Sequence, residues 1–383
     1  LFQLEDDEFA LILVIHHIIS DGWSLDILTN EIFTLYDALT RDTVAGLQAL
    51  SIQYKDFAAW QNDQFAQGQF EMQREYWLQK LSGPIPTLEL PLAAERPAVQ
   101  THNGNSTELT VEAPLAQKII QLGQQLQLTP FMILHAAILA LFNRYSGQQD
   151  ILLGTPIAGR DHPDLQAQIG LFVNTLVLRN QVSDQWSFRS LLDKVRESTL
   201  EAYAHQSFPF DQLVDALELE KDTSRSPLFD VMIVWDDIGL KKEDLEDEAD
   251  FSVEPMMVEN VMAKFDLTFH LSGDEESISL GLSYNTDLYT DEKAEDILQH
   301  LQRLLQSAIE EPTRRIANLD YSGIAKGEKT FTGDLNATAE EDTSTEATIA
   351  PTTSGQPNQA EMEVLLQKTI GNIINTEVAD REQ

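Results

Sequence analysis

An α/β (α+β) architecture is the class this sequence predicts, and three stretches carry the prediction. Residues 9–15, FALILVI, form an unbroken apolar run of strand length, the pattern of a strand buried on both faces. Phe265, Leu267, Phe269 and Leu271, then Ile278, Leu280, Leu282 and Tyr284, alternate with smaller or polar residues. They flank the polar turn SGDEES, which makes a hairpin with one buried face. Over about 291–310, Ile297, Leu298, Leu301, Leu304, Leu305 and Ala308 fall on one helical stripe, with Pro312 beyond it. Strands and helices interleave along the chain, which excludes an all-α or all-β design.

The remaining elements follow in order. After the apolar run comes HHIISDG, with Ser24 placed to cap a helix carrying Leu25, Leu28, Ile32, Leu35, Tyr36 and Leu39 at spacings of three and four. His16, His17, Ser20 and Asp21 therefore sit in a loop between two regular elements, where function often concentrates. Thr129 and Pro130 read as cap and first turn of a buried helix that Gly147 stops. Residues 170–178 and 228–235 are rich in β-branched and aromatic side chains and read as strands. From 323 to 359 Thr, Ala, Glu, Gly and Pro dominate, a flexible linker. Helical periodicity returns at 360–378.

Charge and composition exclude several functions. The 383 residues include 25 Lys+Arg against 63 Asp+Glu, a net charge of −38. Such a surface repels phosphate backbones and anionic lipid, which argues against nucleic-acid and membrane partners. No apolar run approaches the roughly 18 residues that span a bilayer. The first residues are acidic where a signal peptide is basic. With no cysteine, disulfides, thiolate zinc sites and a thiol nucleophile are ruled out. A cytoplasmic location is expected. There is no GxSxG elbow and no HExxH helix, and GIAKGEKT at 323–330 is read as linker, not as a phosphate loop. The acidic run at 241–250 reads as a solvated loop. His102, His162 and His300 lie in polar contexts without partner spacing, and His135 reads as a packed core histidine.

The loop His16-His17-Ile18-Ile19-Ser20-Asp21-Gly22 is the candidate site. An imidazole accepts a proton readily near neutrality, and adjacent histidines at a strand end face opposite sides, so one of the two addresses a given cavity. Asp21 either orients an imidazole or makes a structural ion pair, and Gly22 lets a substrate approach the backbone. From these seven residues alone, a pair of structural histidines capping a strand is an equal alternative.

VIHHIISDGWS resembles the active-site motif of condensation domains from nonribosomal peptide synthetases. Further segments resemble that family in the right order: YKDFAAW (54–60), IGLFVNTLVLR (169–179), HQSFPFDQLV (205–214), DTSRSPLF (222–229), KFDL (264–267) and YNTDLY (284–289). Leu176 stands where the family usually has Gln, and Lys221 where it often has Arg. The family also places more than a hundred residues before the double histidine, so this resembles a fragment that begins inside the first lobe.

The resemblance implies a two-lobed chloramphenicol-acetyltransferase-like fold with an incomplete first lobe. Residues 1–96 would be the later part of that lobe, 97–106 a crossover, and 107–322 the second lobe. The helix in 360–383 would be either the start of a carrier domain or a plain linker helix. The implied reaction is amide-bond formation between thioesters held on the 4′-phosphopantetheine arms of upstream and downstream carrier domains, in an assembly line that includes adenylation domains. No cofactor bound by this chain and no metal is implied. His17 is expected to be the catalytic residue, with His16, Asp21 and Gly22 shaping the loop. In the family the aspartate is paired to an arginine from the upstream segment, so Asp21 is expected here to be unpaired. The first lobe is then expected to fold poorly by itself, and the isolated chain to be inactive, with amide-bond formation belonging to the full-length parent. The alternatives are an epimerisation domain, which carries the same double histidine, and a non-catalytic carrier-docking module.

Overall fold

The computed structural model describes residues 1–236, 262–274, 277–324 and 326–327. Its centre is a mixed sheet of β3 (Gly104–Val111), β4 (Asp150–Ile157), β5 (Asn174–Gln181), β6 (Val231–Trp235), β7 (Leu267–Gly273) and β8 (Ile278–Asn285). The strands lie in the order β3-β8-β7-β6-β4-β5, and β4, β6 and β7 run parallel while the other pairings are antiparallel. The predicted hairpin is present as β7–β8, with Phe269 opposite Leu282 and Leu271 opposite Leu280. Leu267, Phe269, Leu271, Ile278, Leu280, Leu282 and Tyr284 are all fully buried, as period two requires of one face.

That face is covered by helices. α5 (Pro130–Ser146) is capped by Thr129, whose side chain accepts from Met132 N, and ends at Gly147 in the left-handed region. Almost all of its residues are buried, His135 included. It packs on α4 (Ala113–Leu126), on α7 (Phe188–Ala204) and on the last helix, α9 (Asp291–Glu310). α9 begins at Thr290, which caps Lys293 N, and lays its apolar stripe over β3 and β8. Among the described residues no single helix is long and apolar enough to cross a membrane.

The amino-terminal part differs from its sequence reading. Pairing in the 9–15 run stops at once: β1 (Phe2–Gln3) pairs with β2 (Phe9–Ala10), and Leu11, Ile12, Leu13 and Val14 are exposed. A strand buried on both faces needs neighbours at its edges and cover above and below, and among the described residues only β1 supplies any. α1 (Gly22–Thr40) forms as expected, but Leu25, Leu35, Tyr36 and Leu39 on its stripe face solvent. α2 (Tyr54–Ala66) and α3 (Glu71–Lys80) then lead to the sheet. Trp77 of α3 is buried and donates its indole N–H to His205 O at 2.9 Å, while His205 stacks on Tyr76.

Two further corrections concern single residues. His300 does not lie in a polar context: it is buried in the α9 stripe, its Nδ1 2.8 Å from Tyr145 Oη. The start of the stretch read as linker is held to the body, with Ile324 buried and its carbonyl accepting from Arg144 at 2.9 Å. The acidic run at 241–250 and the helix predicted at 360–378 lie outside the described residues.

Candidate functional site

The double-histidine loop is a short 3₁₀ turn, His17–Ile19, leading into α1. His16 caps that turn: its Nδ1 accepts from Ile18 N at 3.1 Å, so in the neutral ring the proton sits on Nε2. His17 is wired the opposite way. Its Nδ1 lies 2.6 Å from Ser20 O, and a carbonyl only accepts, so His17 donates from Nδ1 and a neutral ring keeps a free electron pair on Nε2. The two adjacent imidazoles thus hold complementary tautomers: both bond the backbone through Nδ1, which leaves His16 an N–H and His17 an electron pair at Nε2.

Asp21, not Ser24, is the cap of α1. It has extended backbone angles, and its Oδ1 accepts from Ser24 N at 2.8 Å. Gly22 is the first helical residue and is exposed. Ser24 is buried in the first turn, its Oγ 2.6 Å from Asp21 Oδ1 and accepting from Gly170 N at 3.0 Å. A side chain at Gly170 would collide with the Tyr54 ring, so this close approach of α1, α2 and the loop before β5 requires glycine there.

The expectation that Asp21 lacks an arginine is overturned. Arg160, three residues beyond the end of β4, donates from Nη2 to Asp21 Oδ1 at 2.9 Å. From Nη1 it donates to Leu165 O at 2.6 Å and Gln168 O at 2.7 Å, and the guanidinium lies over the Phe172 ring, 4.2 Å from its centre. Phe172 N donates to Asp21 Oδ2 at 2.9 Å. Burial by itself would raise the Asp21 carboxyl, but donors from Ser24, Phe172 and Arg160 outweigh it and hold the group below its ordinary value. The partner comes from downstream because β4 delivers Arg160 to the foot of α1, a long-range juxtaposition that sequence spacing does not encode. The only hint is an arginine following glycine directly after an apolar strand.

The other resembling segments serve this loop or the sheet. Tyr54 donates to Leu171 O at 3.0 Å and meets Phe172 edge-on. Asn174 donates to Gln206 O and Phe208 O and accepts from Phe210 N, tying β5 to the turn before α8 (Phe210–Leu217). Leu176 is buried. In the DTSRSPLF segment Arg225 pairs with Asp230, beside a second pair, Arg96 with Asp266, around a cavity of ≈ 420 Å³. Asp230 and Asp266 precede β6 and β7, whereas Arg160 follows the end of β4; the strands being parallel, the two charged clusters sit at opposite ends of the sheet. His102 donates to Ala263 O, His162 caps a short turn, and His135 is sealed in α5, where burial lowers it to about 3. None of these three joins the double-histidine loop.

The molecule thus combines a six-stranded mixed sheet, helices on one of its faces, and a loop built on HHxxxDG that leads into α1. The Condensation domain family model matches residues 1–329, and the chain belongs to that family. It is 40% identical over 321 residues to a linear gramicidin synthase component from Brevibacillus parabrevis, covering 83% of this chain and 6% of that protein. It is 36% identical over 327 residues to bacitracin synthase 1 of Bacillus licheniformis, covering 85% and 6%. The chain therefore spans about 6% of the length of these relatives. Among solved structures it is similar to the X-domain from teicoplanin biosynthesis, with a TM-score of 0.70 and 26% identity over 80% of this chain and 70% of that one. A four-domain nonribosomal peptide synthetase bound to AMP and glycine gives 0.70 and 25%, covering 80% and 24%. The first condensation domain of the CDA synthetase, at 17% identity and a TM-score of 0.62 over 80% and 65%, shares the fold. The fold is thus chloramphenicol-acetyltransferase-like.

Proposed function

We propose that this chain, as part of its full-length parent, forms amide bonds in a nonribosomal peptide assembly line, joining donor and acceptor aminoacyl or peptidyl thioesters held on the phosphopantetheine arms of carrier domains. The acceptor amine attacks the donor thioester carbonyl, a C–N bond forms, the C–S bond breaks, and the donor arm leaves as a thiol. The observation that carries the reading is the hydrogen bond of His17: Nδ1 is spent on Ser20 O, so in the neutral ring Nε2 is left as a hydrogen-bond acceptor. There it takes the amine proton as a general base or holds the amine for attack. Asp21 and Arg160 do not touch the reacting atoms in this scheme; they fix the loop that aims His17. Adenylation domains of the same line would load the carriers, and the lobes would divide at about residues 97–106.

His17→Ala in the full parent synthetase should abolish dipeptidyl-carrier formation, read by mass spectrometry, while both carriers still load. Near-normal yield would remove His17 from the mechanism. If His17 is a base, the single-turnover rate falls on the acid side as Nε2 takes a proton; a flat profile there favours positioning.

One observation favours a second reading, a docking module. A solved structure of the X-domain with OxyB, 26% identical to this chain over 80% of it, is a complex of such a fold with a separate protein. Carrier binding without turnover, indifferent to His17→Ala, would select that reading. An epimerase would change product stereochemistry without making a bond.

A further inference from the structure

The face of the sheet opposite the helices, which no described helix covers at β7 and β8, carries a constellation that amide-bond formation does not use. In β7, His270 lies opposite Gly281 of β8 on one side and Val234 of β6 on the other. With a period of two, the diagonal neighbours on the same face are Ser283, two residues past Gly281, and Asp236, two past Val234. The side chains meet as that arithmetic demands. His270 Nε2 lies 3.1 Å from Ser283 Oγ, and His270 Nδ1 lies 3.1 Å from Asp236 Oδ2. Gly281 is what makes room, because a Cβ there would stand 3.1 Å from His270 Cβ and crowd the ring as it leans across the strand.

A carboxylate accepts, so His270 donates from Nδ1, and its neutral ring offers Nε2 to the serine proton. Nucleophile, base and orienting acid are then in line, the arrangement by which a serine is activated on unrelated folds. The three residues line a groove of ≈ 360 Å³ that also includes Ser106, Ser272 and Ser279. Ser106 lies directly across from Ser283 on β3, and Thr268 directly across on β7, so two further hydroxyls flank the point of attack. Ser279 is a built-in control: it shares the face but bonds to Glu108, not to an imidazole.

We propose that Asp236, His270 and Ser283 form a second acyl-transfer site, one that hydrolyses a short-chain acyl thioester or ester. Ser283 Oγ attacks the acyl carbonyl while its proton passes to His270 Nε2. The C–S bond breaks, the leaving thiolate takes that proton, and the acyl group stays on Ser283. Water then attacks the ester, His270 takes its proton and returns it to Ser283, and a carboxylic acid is released. The net change is thioester plus water to acid plus thiol. Asp236 keeps the ring in the productive tautomer. The choice of thioester rests on the function proposed above; the serine's reactivity does not.

The test uses the full chain with a fluorophosphonate probe and, separately, the carrier-free thioester S-acetyl-N-acetylcysteamine. A covalent adduct mapped to Ser283 by peptide mass spectrometry is expected, with release of free thiol. Ser283→Ala should remove both. His270→Ala should slow labelling by about a hundredfold and Asp236→Asn by about tenfold or more, while Ser279→Ala labels like the parent chain. No adduct at Ser283, a rate unchanged by His270→Ala, or equal labelling of Ser272, Ser279 and Ser283 overturns the proposal. Neither readout needs a carrier domain or His17, so its failure is separable from failure of the condensation assay.

Discussion

Two apolar stretches of this molecule, α5 and the segment from Phe9 to Leu39, have the hydrophobicity of core elements and meet different fates. Ile133, Leu134, Ile138, Leu139, Leu141 and Phe142 are fully buried between α4, α7, α9 and the sheet. Leu11, Leu13, Val14, Leu35 and Leu39 face solvent, although the local patterning is as regular. Periodicity prescribes which residues share a face; only neighbours decide whether that face is covered. What holds the amino-terminal segment in place is mostly polar: the Asp21–Arg160 pair, Ser24 with Gly170, and Trp23 donating to Gln166 O at 2.9 Å.

Substitutions should separate the two regions most sharply where a buried charge loses its partner. Arg160→Ala leaves Asp21 buried and unpaired, which typically costs about 3–5 kcal/mol. Urea unfolding, with fluorescence of Trp23 as a local probe, should show the loop and α1 released first. A loss below about 1 kcal/mol would mean that water replaces the guanidinium. Ile138→Ala in α5 should cost about 2–5 kcal/mol through lost burial and the cavity left behind, and the whole sheet domain should melt earlier.

Acid should affect both regions, by different groups. His135 is held neutral, its folded value of about 3 lying below the ordinary 6.5. The unfolded chain binds that proton first, so stability is complete above the ordinary value and falls progressively as the pH drops toward about 3. His135→Leu should flatten that fall in a melting-temperature series; an unchanged slope would assign acid sensitivity elsewhere. Asp21, also lowered, contributes above its ordinary value of 3.8 and loses that contribution as the pH falls below it, so its effect enters at lower pH than that of His135.

The smallest effects belong to the uncovered face. Leu39→Ser or Val14→Ser should change stability by less than about 0.5 kcal/mol, against several for Ile138. Amide exchange should be fast across 9–22 and slow across 130–146. Slow exchange across 9–22, or a large penalty at Val14, would show that this face is covered in solution.

Much of the molecule was legible from residue order because those features are local. The β7–β8 hairpin, α5 with its Thr129 cap and Gly147 stop, α9, and the core placement of His135 all follow from period, caps and composition within one segment. The double-histidine motif was visible for the same reason. What tertiary structure decided were pairings between distant segments. Arg160 meets Asp21 across 139 positions, and His300 finds Tyr145 across 155. Asp236, His270 and Ser283 come together only because three strands align in one register. The sequence determined each element's period and the chemistry available on it. Register and packing, which depend on which faces find partners, decided which of those groups share a proton or a charge.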